Sequence, residues 1–291
     1  MEFADLIQII IAGLSRGSVY GLAGLTLTLI YNATRVINFA QGDFLMLGAI
    51  MGSFFLVGLR LPLVVTFIPC ILLSAFVALV LHKLVISLMI FRRSPIIGLI
   101  MATVAFATLT SQTTMVIGGS LHRNVPAIFK TTSLRIRGIA LPTQDITIII
   151  ITVVVALGLF LFLRRTRLGR GIRISGINPQ MAELLGVNTN QIATITFILS
   201  GGIAGLGGLL FAPLTSAHPL MGAPLLVNGF VAAIVGGIGN PFGSLVGGFV
   251  VGEVGVFVAR YFSTRFAELT VYGLLILILL IRPMGLLGER E

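Results

Sequence analysis

The sequence predicts an all-α, polytopic transmembrane helical bundle of eight or nine spans, with one short helix on its cytoplasmic side. Three observations lead there. Hydrophobic residues make up 57% of the chain and charged ones 10%, and mean hydropathy is +1.11, so its apolar runs cannot stay exposed to water. Those runs have membrane-spanning length, near 6–30, 42–60, 62–82, 96–118, 144–163, 191–212, 224–239, 243–261 and 268–281. The basic residues cluster between them, so the net charge of +10 reads as a topology signal, and a nucleic-acid partner fits poorly.

At the N-terminus, Glu2 and Asp5 stand where a cleavable signal would carry positive charge, and the run that follows is long enough to span. The first helix is therefore expected to be retained, with its start outside and Arg35 inside. Within it, Gly13, Gly17 and Gly21 recur every fourth residue, as do Gly243 and Gly247, and Gly248 and Gly252; Gly201, Gly202 and Gly205 crowd one turn. Small residues at that spacing let helices approach closely in lipid, where van der Waals packing holds them together. Asn38 and Gln41, in the stretch Asn38–Gly42, suit a helix break whose freed backbone groups are met by amide side chains. Further Gly- and Pro-containing breaks fall at Gly222–Pro224 and Gly236–Gly243. Alternation places His82–Arg93 inside, with Lys83, Arg92 and Arg93, and the C-terminal Arg282 and Arg290 inside as well. Leu121–Leu141 should lie outside despite Arg123, Lys130, Arg135 and Arg137.

The longest polar segment, Arg164–Gln191, opens with Arg164, Arg165, Arg167, Arg170 and Arg173 and is assigned to the cytoplasm. Inside it one short helix is written locally. Asn178 can cap its start, Pro179 suits the first helical position, and Gly186 suits the left-handed position after its end. Met181, Leu184 and Leu185 then share one face, with Ala182 and Glu183 between them. A loop that had only to stay soluble would not need that apolar knob, so it is expected to dock a partner.

Charges within spans cost about 2.5–3.5 kcal/mol on insertion scales, so Arg16, Asp43 and Glu253 call for a reason. With Asn38 and Gln41 they are the candidates for a polar translocation pathway, and the plainer reading pairs them with each other or with backbone as packing groups. No catalytic or metal site is read. His82, His122 and His218 are far apart in sequence, the carboxylates lack ligand spacing, and Cys70 is the one cysteine. Nor is there a P-loop, because Lys83 precedes Leu84, and Lys130, though followed by Thr131, follows Phe129. No cofactor is expected; any ATP would be bound by a separate chain.

The patterns Arg165–Arg173 (R-T-x-x-G-x-x-x-R) and Asn178–Asn188 (N-P-x-x-A-x-x-x-G-V-N) resemble the cytoplasmic coupling loop of branched-chain amino acid ABC-transporter permeases. Val36–Gly42 (VINFAQG) resembles that family's I-N-F-A-H-G signature, with Gln41 where many members carry histidine, and Ile234–Gly243 resembles its Gly-rich penultimate segment. The resemblance spans the chain and implies one permease domain over residues 1–291 with a coupling loop at 164–190. It further implies a cytoplasmic (inner) membrane location, a second permease subunit as homo- or heterodimer, two cytoplasmic ATPase subunits and an external substrate-binding protein. The cargo would be leucine, isoleucine, valine or a related amino acid; sister systems carry amides, urea or, in ribose-type permeases, sugar. The basic external loop would then be a solvated connection or a ledge for the binding protein. The rival class is a secondary transporter driven by an ion gradient through Asp43 and Glu253.

Overall fold

The computed structural model describes residues 3–127, 134–136 and 139–288; Glu2, Lys130, Arg137 and Arg290 lie outside them. The chain begins with α1 (Phe3–Thr34), which ends where Arg35 adopts φ 58° and its N–H closes on Tyr31 O at 2.7 Å. Then come α2 (Gln41–Ser53), extended by a π-helical turn at Phe54–Gly58, and α3 (Leu63–Leu81), carried through a second π-turn at His82–Ile86 into α4 (Ser87–Phe91). α5 (Ile96–Gly118) leads to a short antiparallel hairpin, β1 (Leu134–Ile136) and β2 (Ile139–Leu141), paired Leu134 to Leu141. The remaining elements are α6 (Thr143–Arg165), α7 (Arg167–Ile177), α8 (Pro179–Leu184), α9 (Thr189–Thr215), α10 (Gly222–Gly236), α11 (Pro241–Tyr261) and α12 (Thr264–Ile281). Apart from the hairpin, the described bundle is helical.

Among the described residues eight helices are long and apolar enough to cross a membrane. The ninth apolar run forms α10, whose 15 residues extend about 22 Å at 1.5 Å per residue, short of a hydrocarbon core of about 30 Å. It starts within the bundle, where Gly222 packs on Gly42, and its end is met by the C-terminal stretch, with Leu286 N bonded to Val235 O at 2.8 Å and Leu287 N to Gly236 O at 3.0 Å. Asn32 Nδ2 donates to Gly239 O at 2.8 Å, and Arg35 donates to Gly176 O and Ile177 O. One end of the bundle thus gathers the end of α1, the end of the arginine-bearing helix and the C-terminal stretch, as the charge bias expects. At the opposite end, Arg123 and Ala217 exchange both backbone hydrogen bonds at 2.9 Å.

The glycine spacings find their partners. Gly13, Gly17 and Gly21 of α1 face Gly248 and Gly252 of α11, Gly24 faces Gly229 of α10, and Gly48 of α2 sits on Gly205 of α9. Each approach is so close that a Cβ would run into facing backbone, which is how α1 comes to lie at the centre among α6, α9, α10 and α11. Buried hydroxyls add interhelical bonds: Thr28 to Ser244 at 2.7 Å, Ser200 to Thr26 O at 3.1 Å and Ser74 to Phe44 O at 3.1 Å. Phe44, Phe197, Leu22 and Leu25 are fully buried between these helices, whereas Ile97, Met101, Val116 and Ile117 of α5 face outward.

The arginine-rich stretch differs from the expected loop. It is the 11-residue helix α7, capped by Thr166 Oγ1, which accepts from Gly169 N at 2.9 Å. Gly169, Gly171, Ile172 and Ser175 are buried against α6 and α9, while Arg167, Arg170 and Arg173 point to solvent. Three glycines in 11 residues lower its intrinsic helix propensity, so the helix rests on tertiary packing that propensity does not reveal.

Candidate functional site

Two regions carry polar chemistry. The first is α8. Asn178 Oδ1 accepts from Met181 N at 3.1 Å, and Pro179 occupies the first turn. Gly186 has φ 78°, with Gly186 N bonded to Glu183 O and Val187 N to Ala182 O, both at 2.9 Å. That pair of bonds is a Schellman stop, which requires the left-handed conformation glycine tolerates. Ala182 is fully buried and anchors the helix, while Met181, Leu184 and Leu185 are 58%, 83% and 71% exposed. Glu183 stands apart from this knob. Its Oε1 accepts from Thr189 Oγ1 at 2.7 Å, fastening α8 to the first turn of α9.

The second region is a cavity of about 300 Å³ near the opposite end, between α1, α9, α10, α11 and α12. Its polar lining includes Arg16, Tyr20, His218, Asn228 and Glu268, and its apolar lining includes Phe211, Met221, Leu225 and Val256. Tyr20 stacks on Phe211 with ring centroids 6.1 Å apart and lies within electrostatic reach of both Arg16 and Glu268. Beside the cavity, the His218 and His122 rings lie 4.3 Å apart, and partial burial together with His122 holds the His218 pKa below its ordinary value.

The five pathway candidates separate in space. Arg16 lines the cavity. Asn38 and Gln41 are buried in the re-entrant turn between α1 and α2: Ala40 N donates to Asn38 Oδ1 at 3.1 Å, and Gln41 Nε2 donates to Thr26 Oγ1 at 2.7 Å. Thr26 lies eight residues, about 12 Å, before the end of α1, so the Gln41 side chain at the start of α2 reaches back alongside α1. Asp43 is 7% exposed and packs at Gly222, where α10 starts. Glu253 sits over Gly13 in the α1–α11 crossing, half-buried, and its Oε1 lacks a hydrogen-bond partner. Sequence reading missed Glu268, Tyr20, Asn228 and the buried Asp145, whose carboxylate lies near Ser15 and Arg16. Glu268 and Asp145 both lie close to the ends of apolar runs, where a charge draws no notice; only the fold puts Glu268 on the same cavity as Arg16 and Asp145 within its electrostatic reach.

The model of the family described as "Branched-chain amino acid transport system / permease component" matches residues 9–280. The chain is 29% identical to the high-affinity branched-chain amino acid transport system permease protein BraD of Pseudomonas aeruginosa, over 100% of this chain and 98% of that protein. It is 25% identical to the corresponding Escherichia coli protein LivH over the same shares of the two chains. A probable permease of this kind from Methanocaldococcus jannaschii is 29% identical over 92% of this chain and 88% of its own length. Among solved structures, PsaBC from Streptococcus pneumoniae in complex with Fab shares the fold, with TM-score 0.55 and 14% identity over 97% of this chain and 94% of that one. With a match that runs through nearly every spanning helix, the chain is a multi-pass membrane protein and belongs to the family of branched-chain amino acid transport permease components.

Proposed function

We propose that this chain is the membrane-spanning subunit of an ATP-binding-cassette importer in the cytoplasmic membrane, moving branched-chain or closely related amino acids inward. The observation that carries the reading is the family match over residues 9–280, joined to a rigidly capped helix whose apolar knob of Met181, Leu184 and Leu185 is exposed. ATP is bound by two partner ATPase subunits, a second permease completes the pathway, and an external binding protein delivers cargo. α8 is the coupling element: Asn178, Pro179 and Gly186 set its shape, Ala182 and Glu183 fix it to the bundle, and Met181, Leu184 and Leu185 enter the ATPase. The Glu183–Thr189 bond passes its displacement to α9, whose 27 residues reach about 40 Å to Phe211 and Thr215 at the cavity. Of the pathway candidates, Arg16 acts on cargo and Asp43 and Glu253 lie beside the moving helices, while Asn38 and Gln41 brace the turn.

The test is uptake of radiolabelled leucine by cells carrying this chain with its partner subunits, comparing intact with hydrolysis-dead ATPase. Uptake that vanishes with the dead ATPase supports the reading. Uptake that follows an ion gradient and survives it would sink the reading in favour of a secondary transporter.

A further inference from the structure

We propose that the cavity between α1, α9, α10, α11 and α12 is a docking site for the zwitterion of an α-amino acid, with Arg16 taking the carboxylate and Glu268 the ammonium group. The inference deepens the importer reading and rests on it for the class of cargo. Arg16 and Glu268 bear opposite charges on the wall of one cavity, both exposed, and no ion pair within 4.0 Å joins them. Opposite charges held apart on one cavity wall are each left open to pair with a ligand. A simple cation or anion would answer one of the two. A zwitterion answers both at once, through charge-assisted hydrogen bonds of about 2.7–2.9 Å. Asp145 is a second carboxylate within electrostatic reach of Arg16, but it is 7% exposed and outside the cavity lining, whereas Glu268 is part of that lining.

The rest of the lining suits the same ligand. Tyr20 lines the same cavity, and Phe211, Met221, Leu225 and Val256 offer an apolar wall to an aliphatic side chain. A volume of about 300 Å³ falls at the small end of the ligand-pocket range. Asn228 gives one N–H of its Nδ2 to Pro224 O at 2.9 Å, and its second N–H and its Oδ1 can add neutral hydrogen bonds beside the two charges.

The complete transporter in proteoliposomes tests this, with Val256→Cys introduced into a Cys70→Ala background and the rate of labelling by N-ethylmaleimide followed. L-leucine is expected to slow labelling about tenfold at about ten times its dissociation constant. 4-Methylpentanoate, with the carboxylate alone, and 3-methylbutylamine, with the ammonium alone, are expected to give little protection at the same concentration. Arg16→Gln or Glu268→Gln should abolish protection by leucine. Equal protection by the single-charge analogues would overturn the proposal, as would full protection in either charge variant. So would failure of leucine to protect both Val256→Cys and the rim variant Thr264→Cys while ATP-driven leucine uptake persists. Protection with the expected charge requirement but without ATP-driven uptake would uphold the site and remove the importer reading instead.

Discussion

Gly17→Ala tests the packing that places every other element. A Cβ on Gly17 would lie 2.7 Å from Gly248 O and 2.8 Å from Phe249 Cα, both backbone atoms of α11 that no side-chain rotation can move away. Restoring ordinary contact at 3.4 Å requires α1 and α11 to part by roughly 0.7 Å along that line, which breaks the neighbouring approaches at Gly21 and Gly252 as well. Overpacking of this kind costs about 1–3 kcal/mol, against which the better helix propensity of alanine returns up to about 1 kcal/mol. Net destabilisation of about 1–2 kcal/mol is therefore expected. The internal control is Gly158→Ala on α6, where an added Cβ meets nothing within 4 Å, so propensity alone operates and the change is neutral or slightly stabilising. Unfolding of the purified protein in mixed micelles with increasing dodecyl sulfate, followed by circular dichroism, measures both. Gly248→Ala should resemble Gly17→Ala, and the double variant should cost less than the sum, because helices already parted accept the second methyl more easily. Equal stability of Gly17→Ala and Gly158→Ala would refute the claim that this crossing is set by glycine contact.

Three further perturbations address α8, the turn before α2 and the histidine contact beside the cavity. Asn178→Ala removes the bond to Met181 N and should weaken α8 locally by about 1 kcal/mol, read as faster amide exchange across 179–186 and looser coupling of ATP hydrolysis to uptake; unchanged exchange would contradict the cap. Gln41→Leu removes the amide donor to the buried Thr26 hydroxyl, which keeps its own bond to Leu22 O at 2.8 Å, and should cost about 1 kcal/mol in the same unfolding assay, whereas wild-type stability would show that the turn does not depend on that bond. Because the His218 pKa is lowered by burial and by His122, the folded state favours its neutral form. The contact it helps hold is complete above about pH 6.5 and fades as pH falls through the lowered value. With Arg123 beside His122, protonation adds like charge there, so amides 121–126 should exchange faster at pH 5 than at pH 7.5 after correction for intrinsic rates, and His122→Gln should flatten the difference.

Much of the fold was legible because lipid leaves the chain few choices. Apolar length counts the spans, arginine placement groups the segments that share one end, and glycine spacing marks which faces approach. α8 was legible for a different reason: Asn178, Pro179 and Gly186 each act on backbone within a few residues, so start and stop needed no tertiary partner. α7 was not, since Gly169, Gly171 and Gly176 argue against a helix until α6 and α9 cover its buried face. The short span of α10 was half legible. Its breaks at Gly222 and Gly236 were visible, but its beginning against Gly42 was not.

The sites divide along the same line. Residues whose chemistry is local to the chain, such as Asn38 and Gln41 in their turn or the capped knob of Met181, Leu184 and Leu185, could be named from sequence. Arg16 stood out because a charge deep in an apolar run is costly by itself. Its grouping could not be foreseen: Glu268 is 252 positions away and Asp145 is 129, each unremarkable in its own segment. What sequence determined was the membrane, the spans and the locally closed elements, all governed by energies summed over neighbouring residues. What tertiary structure alone decided was which charges share a cavity, because that depends on helix rotation and depth, and close glycine contacts set both only once α1 has met α9, α10 and α11.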